Sequence, residues 1–196
     1  MQRAEILELF GAPARNTGEQ EMTWSEKIRD REAFTALYRM HEPAIFRFSL
    51  SMTGDRAIAA EVTQDVFVWL IHHPENFDPA RGELGSFLLG VTRKFLLRRG
   101  REERRLTTLD EGWHVAAEQA DEDAAADVET LRTAIGALPP RYREVVVLCD
   151  LEGRSYEEAA TALGCATGTV RSRLHRARQF LERKMKLHGS GRRCAV

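Results

Sequence analysis

Ser155-Tyr156-Glu157-Glu158-Ala159-Ala160-Thr161-Ala162-Leu163-Gly164-Cys165-Ala166-Thr167-Gly168-Thr169-Val170-Arg171-Ser172-Arg173-Leu174-His175-Arg176-Ala177-Arg178 reads as two helices joined by a tight turn. Ser155 is a good N-cap, and Glu158 three positions later completes a capping box. Tyr156, Ala159, Ala160 and Leu163 fall at i, i+3, i+4 and i+7, which gives the first helix one apolar stripe. Gly164 stands where that helix must stop, a position that favours a residue tolerating positive φ. Thr167 can cap the next helix, and Val170, Leu174, Ala177 and Leu181 step along its inner side. At about 100° per residue, Ser172, His175, Arg176 and Gln179 point away from that stripe, with Arg171 and Arg173 on its flanks. A helix-turn-helix of this kind lays its second helix in a DNA major groove. There Arg can bond guanine bidentately, and Ser or His can reach base edges or phosphate. A merely solvated basic helix would explain the charge but not the agreement of caps, turn and stripes.

The rest of the chain must be large enough to do something else. Its 196 residues suit one large domain or two small ones, and 43% hydrophobic with 30% charged residues fits soluble domains with real cores. No apolar run approaches the roughly 20 residues that span a bilayer. The N-terminus lacks the charged and apolar sectors of a signal peptide, so the expected location is cytoplasmic. Three cysteines, Cys149, Cys165 and Cys194, form no CxxC pair, and structural disulfides are not expected. Cys149 and Cys165 lie on apolar faces and read as small core residues. Cys194, in a polar tail, is a candidate redox-sensitive thiol.

A net charge of −1 conceals strong segregation. Arg81 to Arg105 holds eight basic residues against three acidic ones, and Cys165 to Val196 holds nine against one. Between them, Thr107 to Thr130 has eight acidic residues and no Lys or Arg. Two basic segments on either side of an acidic connector suggest two nucleic-acid-facing modules on a tether. The connector, 107–127, is acidic, Ala-rich and nearly without large apolar residues, and reads as a flexible linker.

Helical stripes fill both flanks. After the connector come Val128, Leu131, Ile135 and Leu138; Pro139-Pro140 ends that helix and starts another carrying Tyr142, Val145, Val146, Cys149 and Leu151. With the helix-turn-helix this makes a four-helix C-terminal domain. Toward the N-terminus, Phe34, Leu37, Tyr38, Ile45, Phe46 and Leu50 mark one or two helices, with Pro43 a kink or restart. Thr53-Gly54-Asp55 is a stop followed by an N-cap, and the helix to about His72 buries Ile58, Val62, Val66, Trp69 and Leu70. Its other face presents Glu61, Gln64, Asp65 and Val68, which is either a docking surface for a basic protein or simply a solvated face. Past a Pro- and Gly-rich loop, Leu84, Phe87, Leu88, Val91, Phe95 and Leu96 define a third helix, with Arg93, Lys94, Arg98, Arg99, Arg101, Arg104 and Arg105 along and beyond it. Aromatics interleaved with basic residues suit unstacked single-stranded DNA, although Phe87 and Phe95 taken alone read as core.

Two blocks resemble the small, extracytoplasmic-function group of bacterial RNA polymerase sigma factors. One is Phe34 to Arg105, with Ala60-Glu61-Val62-Thr63-Gln64-Asp65-Val66-Phe67-Val68-Trp69 and Phe77-Asp78-Pro79-Ala80-Arg81-Gly82. The other runs from Ala137-Leu138-Pro139-Pro140-Arg141-Tyr142-Arg143-Glu144-Val145 through Asp150-Leu151-Glu152-Gly153 to Arg178. The resemblance implies that Glu61, Gln64, Asp65 and Val68 dock on core RNA polymerase. It implies that Arg81, Phe87, Arg93, Lys94 and Arg98 recognise and melt the −10 promoter element. Thr169, Arg171, Ser172, His175 and Arg176 would read the duplex −35 element. The family's melting helix commonly has Trp where Phe87 stands, Asn at Lys94 and Asp at Arg98, so these residues depart from the pattern and the resemblance does not carry over a base preference or a flipped-base pocket residue. An anti-sigma factor is implied as a further partner, together with a role in a stress or signal response.

The expected architecture is therefore all-α, with two small helical domains. Residues 1–25 form an N-terminal extension whose Ile6, Leu7, Leu9 and Phe10 offer a short docking helix or a flexible end. Residues 26–106 form the core-binding and −10 domain, 107–127 the linker, 128–187 the −35 domain and 188–196 a basic tail. No nucleophile–base pair, paired-carboxylate cleft, Gly-rich phosphate loop or metal constellation is legible, so no catalytic residue, cofactor or metal is expected. His72-His73 has the wrong helical spacing for a shared metal face. Two alternatives stand beside this reading: an autonomous helix-turn-helix regulator, and a sigma-like adaptor that titrates a regulator.

Overall fold

A computed structural model describes the backbone of residues 23–106 and 124–191, with side chains for 23–102 and 128–185. The expectations for Cys194, for Ile6 to Phe10 and for residues 107–123 fall outside the described residues. Within them the secondary structure is helical throughout.

Helix α1 (Trp24–Arg29) starts from a capping box in which the Thr23 amide donates to Glu26 Oε2 at 2.7 Å. Trp24 ties it to the rest of its domain. Its indole N–H donates to the Pro74 carbonyl at 2.8 Å, and its ring meets Phe77 edge-on with centroids 4.8 Å apart. The Thr23 cap and the Trp24 anchor both precede residue 26 and tie this short helix to the helices that follow.

Helix α2 (Arg31–Thr53) is one continuous helix through Pro43. It is capped by Asp30, whose side chain accepts from the Ala33 amide, and stopped by Gly54 at φ 70. Pro43 forfeits one backbone bond, but Leu37, Ile45 and Phe48 are buried on either side of it and hold the helix in register. Asp55 caps α3 (Arg56–His72) by accepting from the Ala57 and Ile58 amides. Two 3-10 turns, Pro74–Asn76 and Pro79–Arg81, lead to α4 (Leu84–Leu106). Leu37, Ile45, Phe48, Val62, Val66, Leu70, Leu88 and Leu96 form the core that these helices share.

The second domain opens with α5 (Ala124–Gly136), which starts inside the segment read as linker. Pro140 is the first residue of α6 (Pro140–Val146), where its missing N–H costs nothing. A π-turn, Val147–Leu151, follows, with the Glu152 amide donating to the Val147 carbonyl at 2.9 Å. Then come α7 (Tyr156–Leu163) and α8 (Thr167–Gly191); the latter runs past residue 187. The Ser155 capping box and the left-handed Gly164 (φ 62) are both present. Thr167 is the first helical residue of α8 rather than its cap, since the Ala166 carbonyl already accepts from the Thr169 and Val170 amides. Cys149 and Cys165 are half-buried against the core.

The two domains pack on each other, an arrangement that two modules on a tether do not require. Helix α4 crosses α7 so closely that a Cβ at Gly90 would lie 3.1 Å from the Ala162 carbonyl oxygen. Arg93 Nε donates to Glu144 at 2.7 Å, and Arg47 forks onto Glu152 at 2.7 and 2.6 Å. Arg143 donates to the Met52 carbonyl across the boundary at 2.9 Å and to the Gly136 and Leu138 carbonyls on its own side.

Candidate nucleic-acid interface

On α8 the inward stripe is buried as expected: Val170, Leu174 and Ala177 are each 1% exposed or less. The opposite face leaves Arg171, Ser172, His175 and Arg176 exposed, while Thr169 is half-buried. All five candidate −35 residues therefore lie on one helix, within the two turns that a major groove can accept. Ser172 Oγ donates back to the Thr169 carbonyl at 3.0 Å, and the His175 ring is 3.0 Å from the Gln179 amide. The Arg171 guanidinium sits over the Tyr156 ring, 5.9 Å from its centroid, so the first helix of the motif steadies a side chain of the second. Arg178, two residues beyond Arg176, is bound by Asp150 at 2.5 Å. Its charge is neutralised within the domain.

Arg141 and Tyr142, at the start of α6, stand beside this face. The Arg176 guanidinium, by hydrogen bonding, and next the Arg141 charge hold the Tyr142 phenol below its ordinary pKa against some desolvation. In the sequence Arg141 stands only as a motif letter, while Tyr142 also falls on the apolar stripe of this helix. No helical period on α6 could reveal their meeting with α8.

The candidate −10 residues separate into groups. Arg81, at the end of the second 3-10 turn, is exposed, as are Lys94 and Arg98 on α4. Arg98 lies over the Phe95 ring at 5.8 Å and 3.4 Å from Glu102. Phe87 is half-buried in an aromatic cluster, 5.3 Å from Phe77 and 6.2 Å from Trp69 between centroids. In this arrangement it serves packing. Arg93 is engaged by Glu144 of the other domain. The surface that should face single-stranded DNA is thus partly occupied by the chain itself.

On α3, Glu61, Gln64, Asp65 and Val68 are all exposed, and Val68 retains 45% of its surface. Ile71, one turn on, is 44% exposed, so carboxylates and apolar groups share this face. Glu61 also pairs with Arg99 of α4 at 2.7 Å. Ala59, Val62, Thr63, Val66, Phe67 and Leu70 fill the buried side. Among the described residues no group of His, Cys, Asp and Glu could hold a metal ion, and no helix is long and apolar enough to cross a membrane.

Comparison with known proteins matches this geometry domain by domain. Residues 37–106 fit the family described as Sigma-70 region 2, and residues 129–181 fit Sigma-70, region 4. The chain is similar to the ECF RNA polymerase sigma factor SigE of Mycolicibacterium smegmatis, at 36% identity over 79% of this chain. It spans 62% of that relative's length. It is 32% identical to the ECF RNA polymerase sigma factor SigL of Mycobacterium tuberculosis H37Rv, over 72% of this chain and 82% of the relative. Among solved structures, the sigma factor RpoE in complex with the anti-sigma factor NepR from Bartonella quintana aligns with a TM-score of 0.67 at 25% identity. That match covers 79% of this chain and 98% of the other. CnrH in complex with the cytosolic domain of CnrY aligns with a TM-score of 0.62 at 25% identity, covering 84% and 95%.

Proposed function

The chain belongs to the extracytoplasmic-function group of the sigma-70 family, and on that premise we propose that it is a promoter-specificity subunit of a bacterial RNA polymerase. It binds core polymerase through the Glu61, Gln64, Asp65 and Val68 face of α3. It reads duplex −35 DNA through Thr169, Arg171, Ser172, His175 and Arg176, and engages melted −10 DNA through Arg81, Lys94 and Arg98. Arg93 joins the −10 set once Glu144 releases it, and Phe87 supports that surface from beneath. The protein acts in the cytoplasm, as a specificity factor rather than a catalyst.

The observation that carries this reading is the coexistence, in one chain, of an exposed basic recognition helix and an acidic–apolar helix face on a separate domain. An autonomous helix-turn-helix regulator has no use for the second feature. Control by an anti-sigma factor in a stress or signal response is part of the proposal, supported by the partners of the RpoE and CnrH structures. Such a partner would keep the basic surfaces from promoter DNA.

Run-off transcription with purified core polymerase tests the proposal. Core plus this protein should start at discrete promoters that core alone ignores. Failure to start anywhere, together with tight binding of duplex DNA by the protein alone, would favour the autonomous regulator instead.

A further inference from the structure

The recognition helix carries one arginine that the domain binds for itself. Arg171, His175 and Arg178 follow one another at i, i+4 and i+7, so they share a flank of α8. Arg171 lies over the Tyr156 ring and pairs with no carboxylate among the described residues. Arg178 is held by both oxygens of Asp150: Nη2 donates to Oδ1 at 2.5 Å and Nε to Oδ2 at 3.2 Å. The two residues stand 28 positions apart in the chain, and the π-turn Val147–Leu151 carries Asp150 across to α8. Two donors meeting two acceptors fix the guanidinium in one orientation, turned toward its own domain. An ion pair that leaves 56% of the arginine and 28% of the aspartate side chain exposed adds little to folding. Its larger consequence is electrostatic, because it cancels a full positive charge on a surface that meets a polyanion.

Position decides what that charge would otherwise touch. At 1.5 Å per residue, Arg178 stands about 16 Å along α8 from Thr167. The first turns of a recognition helix reach base edges, and a residue this far along meets the rim of the groove, where the phosphates lie. We propose that Asp150 limits the hold of α8 on DNA: by pairing with Arg178 it withholds from the promoter backbone a cation that the helix is otherwise placed to offer. The inference rests on α8 being the −35 reader and adds to that reading a residue that sets its sequence-independent share. Asp150 touches no DNA itself; it is a positioning residue for Arg178. A phosphate contact strengthens every sequence alike, so an arginine kept from the backbone leaves binding more dependent on the bases that Arg171, Ser172, His175 and Arg176 face.

The experiment uses holoenzyme reconstituted from core polymerase and the full chain, titrated with promoter DNA over a range of salt and with a library randomised through the −35 element. The charge at this pair sums to zero in the parent chain and in the double variant Asp150→Asn with Arg178→Ala, and to plus one in Asp150→Asn alone. Asp150→Asn should therefore tighten binding of every −35 sequence several-fold at low salt and steepen the fall of log affinity with log salt by about one. Its base preferences should remain those of the parent. Asp150→Ser should act in the same way, which ties the effect to the lost charge. The double variant should return to the parent's slope, a result that mere damage to the turn would not give. An unchanged slope in Asp150→Asn overturns the inference. So does a double variant whose slope is shallower than the parent's by about one, since Arg178 would then already hold a phosphate in the parent complex. A changed preference at one base pair in Asp150→Asn makes Arg178 a base reader and overturns it as well. If Arg176→Ala leaves −35 selection intact, the reading of α8 itself fails, and this inference with it.

Discussion

Arg93 of α4 and Glu144 of α6 meet at 2.7 Å across the boundary between the two domains, 51 residues apart in the chain. Glu144 is 3% exposed, and its second carboxylate oxygen is buried without a hydrogen-bond partner among the described residues. Truncating one partner of a buried pair leaves the other charge uncompensated. Arg93→Ala should therefore destabilise the folded chain by about 3 kcal/mol in urea denaturation. Adding Glu144→Leu should recover much of the loss, because an apolar pair can replace a buried ionic one. No recovery in the double variant would mean that Arg93 stabilises through packing of its stem.

The Gly90 crossing makes a steric prediction. A valine there drives methyl groups toward a backbone carbonyl already 3.1 Å from where Cβ would stand. Gly90→Val should cost about 1–3 kcal/mol and loosen the α4–α7 contact. Amide hydrogen exchange should show lost protection in both helices, whereas α1 and the first turns of α2 keep theirs.

His41 predicts a pH dependence. It lies beside Arg154, whose guanidinium is 3.0 Å from Glu158, and both the His41 ring and Arg154 approach Gly85 of α4. Burial, with the Arg154 charge second, holds its pKa down to about 4 from an ordinary 6.5. The unfolded chain takes up a proton near pH 6.5 that the folded chain refuses until about pH 4. Its contribution is thus complete above pH 6.5 and falls as pH drops across that window, by on the order of 3 kcal/mol in all. Urea midpoints of His41→Gln measured from pH 7 to 4.5 should be flatter than those of the parent chain.

The exposed face of α3 predicts a charge reversal. Asp65→Lys should weaken core polymerase binding at least tenfold in competition with the parent protein, and leave the helical content unchanged, since Asp65 is exposed and α3 is held by its opposite side. Arg176→Ala should do the converse. It should cost about 1–3 kcal/mol at −35 sites and spare core binding.

Elements governed by neighbours in sequence were legible in the sequence. The Ser155–Glu158 box, the Asp55 cap and the stop at Gly54 each depend on residues within four positions, and each is present. Where competing local rules met, the reading was weaker. Pro43 disfavours a helix that burial then sustains, and Ala124 begins a helix where composition suggested linker. The long-range pairs were invisible. Nothing near Arg93 announces Glu144, and nothing near Arg47 announces Glu152. The one usable hint was Arg143-Glu144 itself, two charges preceding the apolar run Val145-Val146-Val147-Leu148, where buried ions need partners from elsewhere. The same limit explains Phe87 and Arg93: as a list they share a helix and a chemistry, but in three dimensions one faces an aromatic core and the other a carboxylate.

The Arg93–Glu144 contact also sets a threshold for DNA. An Nε–H donated to a carboxylate cannot at the same moment be donated to a phosphate. A promoter strand that needs this Nε–H, or the full charge of Arg93, competes with a ligand carried by the same polypeptide, whose effective concentration does not fall when the protein is diluted. Adding more DNA can outcompete such a ligand only slowly; drawing the two domains apart removes it at once.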